Sequence, residues 1–292
     1  MGYHAAHAAP TSSHVGRRSF LGLLTLGAAV AIAGYVELAP SGAGSAAPAG
    51  AADLTDHPSK APVRQGATTT PRPRSSVTST VSGIKRVVPD AVISGLPIGH
   101  RRVAWTVDDG TDSAVVGAYA EFLAATGIRL TFFPNGTNPS WTEHAATLRP
   151  MIESGQVQVG NHTWDHPDLT TLSDSEVADE ITRNDTFLRN TFGVSGRPFL
   201  RPPYGFHNDR TDHIAADLGY TAITMWYGSL GDSSVLTSAQ VLANAQQWMT
   251  ANRIVIGHSN HPGVVSVLGQ IKDLLVERKL QTVTLNDVFV AV

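Results

Sequence analysis

From Leu96 to the C-terminus the chain alternates strictly between short apolar runs and longer segments of helical periodicity, and this alternation constrains the fold more than any other feature. The apolar runs are Arg102–Val107, Arg129–Phe133, Val157–Gly160, Pro198–Leu200, Tyr220–Met225, Arg253–Gly257 and Gln281–Val283, each short and bordered by turn residues, as strands are. The intervening segments read as helices near Ala114–Ala125, Trp141–Ser154, Ser173–Phe192, Asp209–Leu218, Ser238–Ala251 and Val264–Arg278, with a last helix expected from Leu285. Ser173 and Glu176 form a capping-box signature at the start of the third helix. Strand and helix in alternation imply parallel strands covered by helices. Seven strands in residues 96–292 suit an incomplete barrel better than an open sheet.

Ahead of this region the sequence changes character twice. Arg17-Arg18 precede the apolar run "SFLGLLTLGAAVAIAGYV", and small residues follow in "PSGAGSAAPAGAA", the layout of an export signal with its cleavage region over residues 1–50. The arginine pair with Ser19, Phe20 and Leu21 resembles a twin-arginine signal, and the Gly/Ala-diluted run suits export better than a membrane span of ~20 strongly apolar residues. An uncleaved anchor is the alternative, and either leaves the domain outside the cytoplasm, secreted or tethered. Residues 51–95 are rich in Pro, Ser, Thr and Ala and are expected to be a disordered linker.

The chain has no cysteine. That excludes disulfides and thiolate metal sites, so any metal must be held by His, Asp or Glu. A formal charge of −3 over 292 residues offers nothing to nucleic acid.

In a parallel barrel the functional side chains stand at the C-terminal ends of the strands, and five strand ends carry unusual residues. The first ends in "TVDDG", where Asp108 and Asp109 either form a turn with Gly110 or face a site. After the third stands "GNHTWDHPD", with His162 and His166 four residues apart. Two imidazoles and a carboxylate form a set that Zn²⁺ and related divalent ions accept, with a position left for water. The fourth ends in "FLRPPYGFHN", whose prolines and Gly205 stiffen a loop carrying Arg201 and Tyr204. The fifth is followed by "MWYGSLGD", with Trp226 and Asp232, and the sixth by "RIVIGHSNHP", with His258. Each of the last three is unremarkable taken alone.

Together and in this order, the five stretches resemble the motifs of the polysaccharide deacetylase family, whose shared module is the NodB homology domain (carbohydrate esterase family 4). "TVDDG" is similar to T-F-D-D-G, "HTWDH" to H-[ST]-x-x-H, and "RPPYG" matches the third motif. The resemblance covers residues 96–292 and implies a distorted (β/α)7 barrel. It also implies a metal-dependent hydrolase that removes acetyl groups from N-acetylated glycans such as peptidoglycan or a chitin-like polymer. Carried over residue by residue, it makes Asp108 the general base. Asp109, His162 and His166 become the ligands of a divalent metal, Zn²⁺ with Co²⁺ or Mn²⁺ as alternatives. Arg201 orients Asp108, His258 is the general acid, and Asp232 is its partner. The Tyr204 amide stabilises the oxyanion, and Trp226 and Ile256 line the acyl pocket.

Four positions depart from the pattern: Val107 for Phe, Ser233 for Trp, Ile256 for Leu and Ser259 for Asp. Ser233 and Ser259 put the shape of the acyl pocket, and so the substrate, in question. An acetyl-xylan esterase on the same barrel and a glycan-binding pseudoenzyme remain as alternatives. The expected partner is an acetylated polysaccharide, with no nucleic acid, membrane contact only through the export signal, and a monomeric protein.

Overall fold

The computed structural model describes residues 85–89 and 91–290. The export signal and most of the expected linker lie outside the described residues. Eleven strands are present among those described: β1 (Arg86–Val87), β2 (Ala91–Ile93), β3 (Arg102–Asp109), β4 (Leu130–Pro134), β5 (Val157–Val159), β6 (Phe199–Leu200), β7 (Ala222–Thr224), β8 (Gly228–Ser229), β9 (Arg253–His258), β10 (Gln281–Thr282) and β11 (Phe289–Val290). The helices are α1 (Ser113–Thr126), α2 (Ser140–Glu143), α3 (Ala145–Glu153), α4 (Asp174–Phe192), α5 (Asp209–Asp217), α6 (Ser238–Trp248) and α7 (Leu268–Glu277).

Every named strand pair is parallel. β5-β4-β3-β9-β8 form the main sheet, with β10 beside the start of β3, and β2-β7-β6 form a second. An isolated bridge between Asn161 and Leu200 joins β5 to β6, and an antiparallel bridge between Gly95 and Arg253 joins the end of β2 to β9. The circuit therefore closes, partly through single bridges, as a distorted (β/α)7 barrel.

β3 is the central strand, buried over all eight residues. Its side chains alternate between two faces. Val103, Trp105 and Val107 join the core beneath α1, with Trp105 edge-on to Tyr119 and Phe122. Ala104 belongs to the barrel interior with Phe133, Phe199 and Ile254, and Thr106 and Asp108 follow it on that face, both bonded to Arg201. Asp112 starts α1 by accepting from the amides of Ala114 and Val115 at 2.9 and 3.2 Å. The capping box of Ser173 and Glu176 is formed at α4.

Three helix expectations are corrected. The helix expected over Trp141–Ser154 is two helices, broken at His144, whose ring bonds the Ser113 carbonyl at 2.9 Å. The segment expected as helix from Val264 begins as a 3₁₀ helix, Pro262–Val267, before α7. The helix expected from Leu285 is one 3₁₀ turn, Leu285–Asp287, followed by β11. Asp287 is drawn to Arg129, at 2.6 and 2.7 Å, and β11 pairs with β1. The end of the expected linker is likewise ordered: β1 lies against β11 and β2 against β7. Of its apolar residues, Val88 and Ile93 are buried in the barrel interior cluster, while Val87 and Val92 are exposed.

Candidate active site

The strand ends open into one cleft of about 550 Å³. It is lined by Asp108, Asp109, His162, His166, Tyr204, Trp226, Ile256 and His258, with Arg201 and Asp232 buried behind. All ten residues singled out from the sequence therefore meet in one place.

Strand parity points Asp108 inward and would send its neighbour toward α1. Asp109 escapes this because its backbone turns into the left-handed region, at φ 72°, bringing the second carboxylate into the same cleft. The turn is held through the Asp109 carbonyl. It accepts from the Asn135 amide at 3.2 Å, Asn138 Nδ2 at 3.1 Å and Trp141 Nε1 at 2.7 Å. Gly110 has no room for a side chain, since a Cβ there would sit 2.2 Å from Trp141 Nε1.

Asp109 Oδ1 is buried with no hydrogen-bond partner. His162 Nε2 lies 3.1 Å and His166 Nε2 3.5 Å from it, without hydrogen-bond alignment. These three donor atoms form the one group among the described residues that meets the spacing of a metal site. His162 Nδ1 faces the Arg201 carbonyl at 2.7 Å. Its proton is held there, which leaves the Nε2 lone pair directed at the cleft. Burial pushes the Asp109 carboxyl up, but the closeness and charge of His162, with His258 and His166, outweigh it and hold the group well below the usual carboxylate range. An anionic oxygen lacking a donor, beside two imidazole nitrogens, fits a divalent cation.

Asp108 is held apart from this set. Its Oδ1 accepts from Arg201 Nη1 at 2.6 Å, and the same Arg201 nitrogen reaches Thr106 Oγ1 at 2.8 Å. Arg201 is fully buried. Its Nε donates to the Thr224 carbonyl at 2.9 Å, and its guanidinium lies over the Phe133 ring at 4.2 Å. Asp108 Oδ2 faces His162 Nε2 at 3.6 Å.

On β9, in register with Asp108 of β3, His258 Nδ1 pairs with Asp232 Oδ1 at 3.1 Å. Burial disfavours the imidazolium of His258, but the Asp232 bond and the charges of Asp108, Asp232 and Asp109 outweigh it, so its pKa is raised. A raised pKa suits a group that gives up a proton. Ile256 is buried, and Trp226 lies nearer the opening. Ser233 is exposed on the cleft wall, and Tyr227 is turned away, against Arg253 and Trp248.

Sequence reasoning missed Asn135, Asn138, Trp141, Thr111, Ser259 as a structural contact, and Asn260. Asn135 stands just beyond β4 and its Nδ2 bonds the His162 carbonyl at 2.5 Å. The strand-end rule applied to "FFPNGTN" would have found it. Ser259, a departure from the family pattern, is fully buried and bonds the Asp108 carbonyl through both its amide and its hydroxyl, each at 3.0 Å.

Comparison with known proteins agrees with this geometry. Residues 97–223 match the family model described as polysaccharide deacetylase. The peptidoglycan-N-acetylglucosamine deacetylase PgdA of Listeria monocytogenes is 28% identical over 212 residues, covering 70% of this chain and 43% of that protein. This chain thus spans under half of that relative's length. A chitin deacetylase of Pestalotiopsis sp is 30% identical over 188 residues, 61% of this chain and 62% of that protein. Among solved structures, the Bc1960 peptidoglycan N-acetylglucosamine deacetylase superposes with a TM-score of 0.61 at 23% identity, over 68% of this chain and 92% of that one. The pseudoenzyme BA3943 of Bacillus anthracis superposes at 0.60 and 20% identity, over 70% and 72%. At those identities the two structures speak for the fold alone. The family match ends before Asp232 and His258, which join the site by their geometry. The motifs, the barrel and the match over residues 97–223 all agree with the polysaccharide deacetylase family.

Proposed function

We propose that the protein is a metal-dependent hydrolase that removes acetyl groups from an N-acetylated glycan, peptidoglycan or a chitin-like polymer, after export from the cell. The observation that carries this reading is the convergence of Asp109 Oδ1, His162 Nε2 and His166 Nε2 between two separate proton-handling pairs, Asp108–Arg201 and His258–Asp232.

Asp109, His162 and His166 would hold the divalent ion, Zn²⁺ first, with Co²⁺ or Mn²⁺ able to take the same donors. When bound, the ion supplies Lewis-acid polarisation of the acetyl carbonyl and of water. Asp108, paired with Arg201, accepts the proton of the attacking water. The Tyr204 amide donates to the developing oxyanion. His258 delivers its proton to the amine nitrogen as the carbon–nitrogen bond breaks, and acetate and the free amine leave. Asp232 fixes the imidazole ring and favours its charged form. A glycan-binding pseudoenzyme is disfavoured because every one of these groups is present.

The test is acetate release from N-acetylated polymers and from acetyl-xylan, with and without chelator, joined to the metal content of Asp109→Ala. Chelation should abolish release, and Asp109→Ala should lose the metal on dialysis, because two remaining ligands hold a divalent ion poorly. Stoichiometric metal in Asp109→Ala would refute the ligand assignment. Release confined to acetyl-xylan would make the protein an esterase.

A further inference from the structure

We propose that Asn260 is a positioning residue that restricts Asp109 to a single metal-facing oxygen. This inference rests on the metal site proposed above. Asn260 Nδ2 donates to Asp109 Oδ2 at 2.6 Å, while Oδ1, the oxygen near the two imidazoles, has no hydrogen-bond partner. The carboxylate is thus divided: one oxygen is bound to protein and the other is presented to the cation.

The orientation of the amide is settled by its other contact. Asn260 Oδ1 accepts from Thr111 Oγ1 at 2.9 Å, and the Thr111 amide lies 3.4 Å away. A carboxylate can only accept, so the amide nitrogen must face Asp109 and its oxygen must face Thr111. Asn260 is therefore held from behind by the loop after β3 while it holds Asp109 in front.

The neighbouring residue extends the contact. Ser259 bonds the Asp108 carbonyl through its amide and hydroxyl, and its own carbonyl accepts from the Asp112 amide at 3.1 Å. The loop after β9 therefore grips the tip of β3 at both acids, Asp108 through its backbone and Asp109 through its carboxylate. Without the Asn260 bond, Oδ2 is free and the carboxylate can rotate about χ2. It could then chelate through both oxygens or swing away from the cation. Hydrogen-bonding partners of metal ligands set ligand orientation, and losing one weakens metal binding by about 10–100-fold.

The experiment measures Zn²⁺ alone, by competition with a chromophoric chelator, in the wild type, Asn260→Leu and Thr111→Val, with Co²⁺ absorption spectra of each. Asn260→Leu keeps the bulk and removes both hydrogen-bonding groups. It should loosen Zn²⁺ by about 10–100-fold and change the Co²⁺ band intensity as the carboxylate alters its denticity, with the metal-free melting temperature near that of wild type. Thr111→Val removes only the rear hydroxyl and should loosen Zn²⁺ by roughly 2–10-fold. Wild-type affinity and an unchanged Co²⁺ spectrum in Asn260→Leu would overturn the proposal. If that variant does not fold, wild-type affinity in Thr111→Val overturns it. Retention of Zn²⁺ by Asp109→Ala would instead overturn the metal site itself, so the two failures are separable.

Discussion

Replacing Arg201 by methionine tests the central electrostatic claim, that the buried Asp108 carboxylate has one fully buried guanidinium as its ion-pair partner. Methionine fills much of the same space but leaves the Asp108 carboxylate, itself almost fully buried, without a counter-charge. Removing one partner of a buried ion pair costs about 3–5 kcal/mol. The Thr224 carbonyl also loses its donor, which adds about 1 kcal/mol. The total of about 4–6 kcal/mol is a large share of the ~5–15 kcal/mol that holds a typical domain together. At about 2–4 °C per kcal/mol for a domain of this size, the melting temperature should fall by roughly 8–24 °C.

Urea unfolding followed by circular dichroism reads this directly, as a lower midpoint at unchanged slope. The double variant Arg201→Met with Asp108→Asn separates charge from packing. If an unpaired carboxylate is the main cost, neutralising it should return a substantial part of the lost stability, and the double variant should be the more stable of the two. Arg201→Lys should fall between, because an ammonium keeps the charge but cannot serve Asp108, Thr106 and the Thr224 carbonyl with one planar fork. A loss below about 1 kcal/mol in Arg201→Met, or a double variant no more stable than the single, would refute the reasoning.

Three further outcomes are expected. Asp108→Asn and His258→Ala should retain the metal and lose on the order of 10²-fold or more in turnover, so that metal content and rate come apart; equal metal loss would place Asp108 among the ligands. Ser233→Trp, which adds bulk to the cleft that Ile256 and Trp226 also line, should raise kcat/KM for acetyl over propionyl versions of one sugar by no more than about 10–200-fold, and an unchanged ratio would rule out an open acyl pocket. The third concerns Asp185, which accepts from Ser195 at 2.6 Å, Tyr220 at 2.7 Å, Arg197 at 2.6 Å and Arg189 at 3.0 Å. Burial pushes its pKa up, but these bonds and the Arg197 charge outweigh it, so the folded value lies below the unfolded one. Its contribution is present above the unfolded value of about 3.9 and is lost as pH falls through the folded one. The stability advantage of the wild type over Asp185→Asn, from urea midpoints, should therefore shrink below about pH 4, and a constant difference would contradict the assignment.

The seven expected strands, six of them in the barrel circuit and β10 beside β3, were legible because each is an apolar run closed by turn residues, and the site because its residues stand where those runs stop. β1, β2, β8 and β11 were not legible. They are two or three residues long, β1 and β2 carry exposed valines, and β8 is Gly228-Ser229. Such segments become strands only through partners far away in sequence, as Arg86 does opposite Phe289. The break at His144 and the turn at Leu285 have the same origin, since each is decided by a tertiary contact, with Ser113 and Arg129 respectively, that no local pattern encodes. Asp109 shows the limit most plainly. Its residue type was readable as a ligand, but strand parity pointed it away from the cleft, and only the left-handed turn brings it in.

That turn bears on how the site holds its shape. Asp109 at the end of β3, Thr163 and His166 after β5, and Tyr204 after β6 all have positive φ without being glycine. Such conformations cost of order 1–3 kcal/mol each and persist only where surrounding contacts determine them. Asn135 supplies several of these contacts. Its amide bonds the Asp109 carbonyl, and its side chain bonds the carbonyls of His162 and Thr163 at 2.5 and 3.3 Å, tying the tip of β3 to the loop after β5. Trp141 and Asn138 add their bonds to the same Asp109 carbonyl. None of these contacts uses the Asp109 carboxylate. The side chain can therefore be removed while the hydrogen bonds that impose the turn stay in place. Metal loss in Asp109→Ala then reports the missing ligand oxygen rather than a collapsed loop. The division also accounts for the placement of two acids side by side. Asp108 follows the strand and is held by Arg201 from inside the barrel, whereas Asp109 leaves the strand and is held by its backbone. Two like charges can therefore stand at one strand end while facing different partners.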